Sequence, residues 1–223
     1  MIPRLDFLEL KNRTAVKVCG FAERENLLDV LALPSPPDAI GLNFYPKSKR
    51  YLEPEGALTW VPFVAQRTTI VGVFVNESTE AILQMHESGL LHAAQLHGDE
   101  SPEDCAVLMA AGIPVIKAVG VKDEESVGDL ARFGTPYLLL DAYLPETFGG
   151  GGETFDWALA RATVDRYPEL LILLSGGLDP DNAGTAVAAV QPAAVDAASG
   201  VESAPGVKSV TKVRRFVEAV RGL

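Results

Sequence analysis

The chain has 223 residues, of which 48% are hydrophobic and 22% are charged, and its formal net charge is −11. These values are typical of a globular protein with a sizeable core. They exclude the basic surface that nucleic-acid binding requires, and they disfavour binding to an anionic membrane.

Two further properties bound the class of protein. Cys19 and Cys105 are the two cysteines of the chain, which is too few for a disulfide scaffold and fits a reduced cytoplasm. The first twelve residues carry charges at Arg4, Asp6, Glu9 and Lys11, unlike a signal peptide. No apolar run approaches the roughly 20 residues that cross a bilayer. We therefore expect a cytoplasmic protein.

Short apolar runs alternate with amphipathic stretches along the whole chain. The eight runs are residues 15–18, 39–42, 69–75, 92–96, 114–119, 137–140, 170–175 and 193–198. The stretches that predict helices are 23–31, 54–66, 78–88, 102–111, 124–133, 156–165, 181–190 and 205–222. This alternation favours a parallel sheet. Eight units in one chain predict a single (β/α)8 TIM barrel over residues 1–223, in which 1–14 are an N-terminal extension of unknown role. The first run is not followed by the glycine motif of a dinucleotide fold.

Polar or glycine residues follow each run, so they should converge where such barrels build their active sites. Cys19 follows the first run and precedes Gly20. A cysteine is often a small buried hydrophobe, but at this position a thiolate of lowered pKa would serve as a general base. Lys17 lies on the same face of the strand and would either assist Cys19 or simply fill the barrel. Cys105, in an alanine-rich stretch, is interpreted as packing.

Asp141 and Arg50 are the next candidates. Asp141 ends the sixth run, where it would cap a loop or act as a protonated carboxylic acid that donates a proton. Arg50 ends a cationic segment with Lys47 and Lys49, which is either a solvated loop or a site that captures an anionic group.

Glycines after the seventh and eighth runs predict a phosphate site, because barrels commonly bind phosphate there. These are Gly176 and Gly177, which follow Ser175, and Gly200, which follows Ser199. Gln95, His97, Asp196 and Ser199 complete the predicted substrate-binding residues. His86 and His92 do not cluster with His97 at metal spacing, so no metal is expected.

Six motifs together resemble the phosphoribosylanthranilate isomerase family of tryptophan biosynthesis. They are Lys17-Val18-Cys19-Gly20, residues 44–50, residues 95–100, Leu140-Asp141-Ala142 with the glycine loop 149–152 and Phe155-Asp156-Trp157, residues 176–182, and residues 199–208. The resemblance implies a cofactor-free barrel that performs an Amadori rearrangement of a phosphoribosyl substrate. It implies that Asp141 is the general acid and Cys19 the general base, that Arg50 holds the anthranilate end and that the glycines hold the phosphate. We expect a monomer or homodimer.

Some residues depart from the family pattern. The glycine loop reads Gly149-Gly150-Gly151-Gly152-Glu153, where the family often has Gly-Gly-Thr-Gly-Lys. Ser175 stands where alanine is usual, and Ala198 stands where serine is usual. Three alternatives remain open from the sequence. They are a histidine-pathway aminoaldose isomerase, a phosphosugar-binding module that has lost catalysis, and a structural subunit that needs a catalytic partner.

Overall fold

The computed structural model describes residues 3–10, 12–142 and 156–222, and it shows a closed barrel of parallel strands. The strands are β1 Ala15–Cys19, β2 Ala39–Asn43, β3 Thr69–Phe74, β4 Ala93–Leu96, β5 Val115–Val121, β6 Tyr137–Ala142, β7 Leu171–Leu174 and β8 Ala194–Ala197. Each strand pairs with the next, and β8 pairs with β1. The predicted (β/α)8 barrel is confirmed.

Helices lie between the strands and cover the outside of the barrel. They are α1 Arg24–Leu31, α2 Pro54–Ala57, α3 Val61–Val64, α4 Thr79–Glu87, α5 Pro102–Ala110, α6 Trp157–Arg166, α7 Ala183–Val190 and α8 Val210–Arg221. Local side-chain chemistry sets several of their starts. Ser101 and Asp104 form a reciprocal capping box at α5, and Asp156 accepts a hydrogen bond from the backbone of α6.

Two of the predicted helices are wrong: one is divided into two shorter helices, and the other is not an α-helix. Residues 54–66 form two short helices, because Pro62 cannot continue a helix from the preceding turn. Residues 124–133 form turns and a single 3₁₀ turn, Ala131–Phe133. There the side chains of Asp123 and Ser126 bond the backbone locally, which competes with helical hydrogen bonds.

The chain after β8 also differs from the prediction. The helix predicted from residue 205 begins only at Val210, because a hairpin precedes it. Its two strands are β9 Glu202–Ala204 and β10 Val207–Lys208, and Gly206 turns between them at φ 83°. The hairpin places Glu202 and Lys208 beside the barrel opening.

Successive residues of each strand face opposite sides of the barrel wall. In β1, Val16 and Val18 pack outward against the helices, whereas Ala15 packs inside. Lys17 and Cys19 share the inward parity of Ala15. Lys17 therefore lies one layer below Cys19, level with Asp196 of β8, with which it is paired in register.

The interior at the N-terminal ends of the strands is apolar and is covered by the N-terminal segment, residues 3–10. Leu5, Phe7 and Leu8 are buried against interior residues that include Tyr137 and Leu139. The Leu5 N–H also donates to the Tyr137 hydroxyl at 2.8 Å. Part of the extension to which the sequence assigned no role thus completes the core.

Candidate active site

Cys19 ends β1 at the C-terminal opening of the barrel, and two glycines make room for its surroundings. Its residue is 8% exposed. Gly41 is paired with it on β2, and a Cβ there would lie 2.5 Å from the Cys19 sulfur. Gly20 has φ 86°, and a Cβ on it would overlap the Arg50 side chain. The absence of side chains at both positions therefore leaves room at the opening for the thiol and for the Arg50 side chain.

A buried ion pair lies beneath the thiol. Lys17 Nζ is 2.9 Å from Asp196 Oδ2, and both residues are buried. Burial acts to lower the pKa of Lys17, but the charge and the hydrogen bond of Asp196 act against it, so the pKa is raised and the amine stays cationic.

The pKa of Cys19 is shifted opposite to the expectation from sequence. Burial raises it, and this effect exceeds the opposing attraction of Lys17, Lys208 and Arg50 for a thiolate. The predicted lowering of the Cys19 pKa is therefore contradicted, and the direction of the shift favours the thiol over the thiolate.

Arg50 is held by the hairpin rather than solvated in a loop. Its Nε and one terminal nitrogen donate to the two Glu202 oxygens at 2.7 and 2.8 Å. Glu202 also accepts from Lys208 Nζ at 2.7 Å and from the Gly206 N–H at 3.0 Å. Glu202 and Lys208 were not predicted as site residues from the sequence. Their signal was a pair of charged residues flanking the turn-forming Pro205 and Gly206.

Asp141 lies across the opening from Cys19, at the end of β6, and is joined to two other predicted residues. Its Oδ2 is 3.3 Å from His97 Nε2, and His97 Nδ1 is 2.8 Å from Gln95 Nε2. Its Oδ1 accepts the Ala142 N–H at 2.9 Å. The structure thus connects Gln95, His97 and Asp141 in one chain of polar contacts.

A second buried ion pair, in the layer outside the barrel, fixes the loop that carries His97. Glu100 accepts the N–H groups of Asn76 and Gly98, at 2.8 and 2.9 Å. Lys117 Nζ lies 3.0 Å from the same carboxylate and 2.7 Å from the Gly98 carbonyl oxygen. Lys117 was not predicted from the sequence, because the outward direction of its side chain is known only once the register of the barrel strands is known.

The predicted phosphate loops are adjacent in space. Gly176 and Gly177 have φ values of 85° and 60°, a region that favours glycine. A Cβ on Gly200 would overlap the Leu178 carbonyl oxygen of the neighbouring loop. Ser199–Val201 forms a single 3₁₀ turn. Within the described residues, the N–H groups of Gly176, Gly177 and Gly200 donate to no other backbone or side chain. They are available to an anion.

Asn43, the last residue of β2, accepts the Tyr45 N–H at 2.9 Å and so orders its own loop. The glycine loop 149–153 lies outside the described residues.

In the described ranges, no three His, Cys, Asp or Glu side chains gather as a metal site, and no helix is long and apolar enough to span a membrane. A cavity of about 920 Å³ lies at the opposite end of the barrel and contains none of the predicted residues.

A family profile and the most similar relatives found point to one family. A family profile described as N-(5'-phosphoribosyl)anthranilate (PRA) isomerase matches residues 16–219. The N-(5'-phosphoribosyl)anthranilate isomerase of Thermotoga maritima is 43% identical over 212 residues, which are 93% of this chain and 98% of that protein.

Two solved structures are similar over nearly their whole length. The crystal structure of the Thermotoga maritima phosphoribosyl anthranilate isomerase has a TM-score of 0.84 at 41% identity and covers 94% of this chain and 100% of its own. A phosphoribosyl anthranilate isomerase in complex with reduced 1-(o-carboxyphenylamino)-1-deoxyribulose 5-phosphate has a TM-score of 0.81 at 38% identity, with the same coverage.

Proposed function

This chain belongs to the N-(5'-phosphoribosyl)anthranilate isomerase family and is an isomerase of tryptophan biosynthesis, and we propose that Asp141 and Cys19 are the general acid and general base of its reaction. The family predicted from the motifs is confirmed, rather than the histidine-pathway alternative. The substrate N-(5'-phosphoribosyl)anthranilate is converted to 1-(2-carboxyphenylamino)-1-deoxy-D-ribulose 5-phosphate by an Amadori rearrangement.

The chemistry needs two proton transfers at different atoms of the sugar. Asp141 donates its proton to the furanose ring oxygen, the bond from C1 to that oxygen breaks, and the ring opens to a Schiff base. Cys19, as a thiolate, then removes the proton from C2 and gives an enolamine. The enolamine tautomerises to the ketone as C1 accepts a proton and the C2 hydroxyl loses one. Solvent then returns a proton to Asp141 and takes one from Cys19, so the sum of the steps is an isomerisation.

One observation carries this assignment. A buried carboxyl and a buried thiol end β6 and β1 at the same barrel opening, so a sugar bound there meets one group on each side. A Cβ on Gly176 would lie 3.2 Å from Asp141 Oδ1, so the proposed phosphate loop adjoins the acid. A phosphate held by the amides of Gly176, Gly177 and Gly200 would fix the sugar relative to both groups.

The other substrate groups have matching partners. Arg50 keeps donors beyond the two that bond Glu202, and these would bind the anthranilate carboxylate. Gln95 Oε1 and Asp196 Oδ1 are buried acceptors without a partner among the described residues, and sugar hydroxyls would donate to them. His97 would act through Asp141, which it contacts. Action in the cytoplasm as a monomer or homodimer stays a prediction.

The test is steady-state turnover of N-(5'-phosphoribosyl)anthranilate, made in situ and followed by its fluorescence, in Cys19→Ser and Asp141→Asn. Each variant should lose about 10²–10⁴-fold in kcat while it still binds the reduced product analogue. Cys105→Ser and Asp29→Asn are matched controls, since Cys105 is packed outside the barrel wall and Asp29 is exposed. Turnover within a few-fold of the wild type in either site variant would contradict that residue's role.

A further inference from the structure

The buried lysine below Cys19 is not explained by packing. Lys17 is fully buried, and the layer beneath it is apolar, with Ala15 and Ala194 inside the barrel. A buried ammonium is costly unless it is paired, and even a well-made buried ion pair is often no more stable than apolar residues of the same size. The Lys17–Asp196 pair therefore points to a use beyond stability.

The charged groups around Cys19 indicate that the ion pair affects the ionisation of this thiol. Among the described residues, the charged groups that act on the thiol are Lys17 from β1, Asp196 from β8, Lys208 from β10 and Arg50 from the loop after β2. Arg50 and Lys208 share the single carboxylate of Glu202. Three cations thus face two carboxylates, and the excess positive charge equals the charge of one thiolate.

We propose that Lys17 is a positioning residue for the base: held by Asp196 one layer below Cys19, its ammonium provides the counter-charge of the Cys19 thiolate during the reaction. This inference rests on the proposed role of Cys19. The thiol gives its proton to water, and the thiolate formed lies against an ammonium that is already in place. The thiolate then accepts the C2 proton and becomes a thiol again.

The two members of the ion pair should act on the thiolate in opposite directions. The Lys17 cation attracts the thiolate across one layer of β1, whereas the Asp196 carboxylate repels it. When the carboxylate is neutralised, the buried ammonium lacks its counter-ion, and the Cys19 thiolate is the group beside it that can supply one. A merely structural ion pair would give similar losses from either side.

The experiment measures the rate of alkylation of the full-length protein by iodoacetamide against pH, with the modified cysteine located by mass spectrometry. The pH of half-maximal rate reports the titration of Cys19. Cys105 does not interfere near neutral pH, because it is fully buried and burial raises its pKa to about 11. The variants are Lys17→Met and Asp196→Asn, with exposed Lys122→Met as the matched charge control.

Lys17→Met should raise the half-maximal pH, so that alkylation at pH 7.5 slows about tenfold, the factor that one pKa unit produces. Its turnover should fall and then partly recover as the pH is raised. Asp196→Asn should lower the half-maximal pH and speed alkylation, although turnover falls because an amide oxygen accepts a sugar hydroxyl less strongly than a carboxylate does. Lys122→Met should match the wild type.

Shifts in the same direction, or no shift in either variant, would overturn the proposal. If circular dichroism shows Lys17→Met to be unfolded, Asp196→Asn decides alone: faster alkylation supports the proposal, and unchanged or slower alkylation overturns it. The proposed function fails separately, since Cys19→Ser with wild-type turnover would refute the base whatever the alkylation profiles show.

Discussion

The two ends of the barrel interior are built from the same strands and differ in chemistry. At the N-terminal end, Leu5, Phe7 and Leu8 close an apolar core. At the C-terminal end, the interior holds the Lys17–Asp196 pair, a thiol and a carboxyl. Strand β1 alone passes from Ala15 through Lys17 to Cys19 over five residues. One end supplies packing energy and the other end supplies the polar groups, so substitutions at the two ends should have separable effects.

The largest expected effect is on stability, from Phe7→Ala at the closed end. Phe7 is 6% exposed within the core, and removing a buried phenyl ring costs about 3–5 kcal/mol. Urea unfolding should show this loss, while kcat of the folded protein stays near the wild-type value. Phe63→Ala is the control, since Phe63 is 71% exposed and should change the unfolding free energy by no more than about 0.5 kcal/mol. A large fall in kcat of folded Phe7→Ala would show that the ends are coupled.

A smaller effect, on activity, is expected from Gly176→Ala at the open end. The new Cβ would lie 2.9 Å from the Ala142 nitrogen and 3.2 Å from Asp141 Oδ1, so the acid or the phosphate loop must shift. We expect kcat/KM to fall about 10–100-fold. Gly112→Ala is a matched control because Gly112 has φ 90° and open space around its Cβ. It should share the backbone strain, seen as a lower melting temperature, and retain wild-type kinetics. Equal kinetic losses in both variants would assign the effect to strain alone.

The smallest expected effect is on stability at acid pH. It depends on two carboxylates, Asp38, which precedes β2 near the closed end, and Glu202 at the open end. Burial acts to raise the pKa of Asp38, but Arg13, the Val16 N–H and Arg221 outweigh it, so the pKa is lowered. The stabilisation is therefore full above the unfolded-state pKa of about 3.9 and is lost as the pH falls through the lower folded-state pKa.

Asp38→Asn should accordingly be less stable than the wild type at neutral pH, with an unfolding free energy that falls less steeply between about pH 4 and pH 2. The slope should be reduced rather than abolished, because the pKa of Glu202 is lowered too by Arg50 and Lys208, against the effect of burial. Urea unfolding at several pH values measures it, with exposed Asp29→Asn as the control. An unchanged slope in Asp38→Asn would contradict the role of this carboxylate.

The helices and strands that were predicted correctly are those whose structure is determined by neighbouring residues in the sequence. The strands are runs of apolar residues, and α5 begins at Pro102 after a serine cap, so both were predicted from adjacent residues. The helix predicted over 124–133 from its amphipathic spacing does not form, because hydrogen bonds between the side chains of Asp123 and Ser126 and the backbone compete with helical hydrogen bonds. The hairpin before α8 was missed because its two strands are only three and two residues long.

The sequence by itself determined the family, the closed barrel and the residues at the strand ends, because strand direction alone sends every strand end to one opening. The tertiary structure decided which charges meet there. Glu202 binds Arg50 across 152 residues of sequence, and Lys17 meets Asp196 across 179. It also decided the direction of the Cys19 pKa shift, since burial and the positions of charges from four separate segments set it together. Such quantities depend on distances between distant parts of the chain, and these exist only once the barrel has closed.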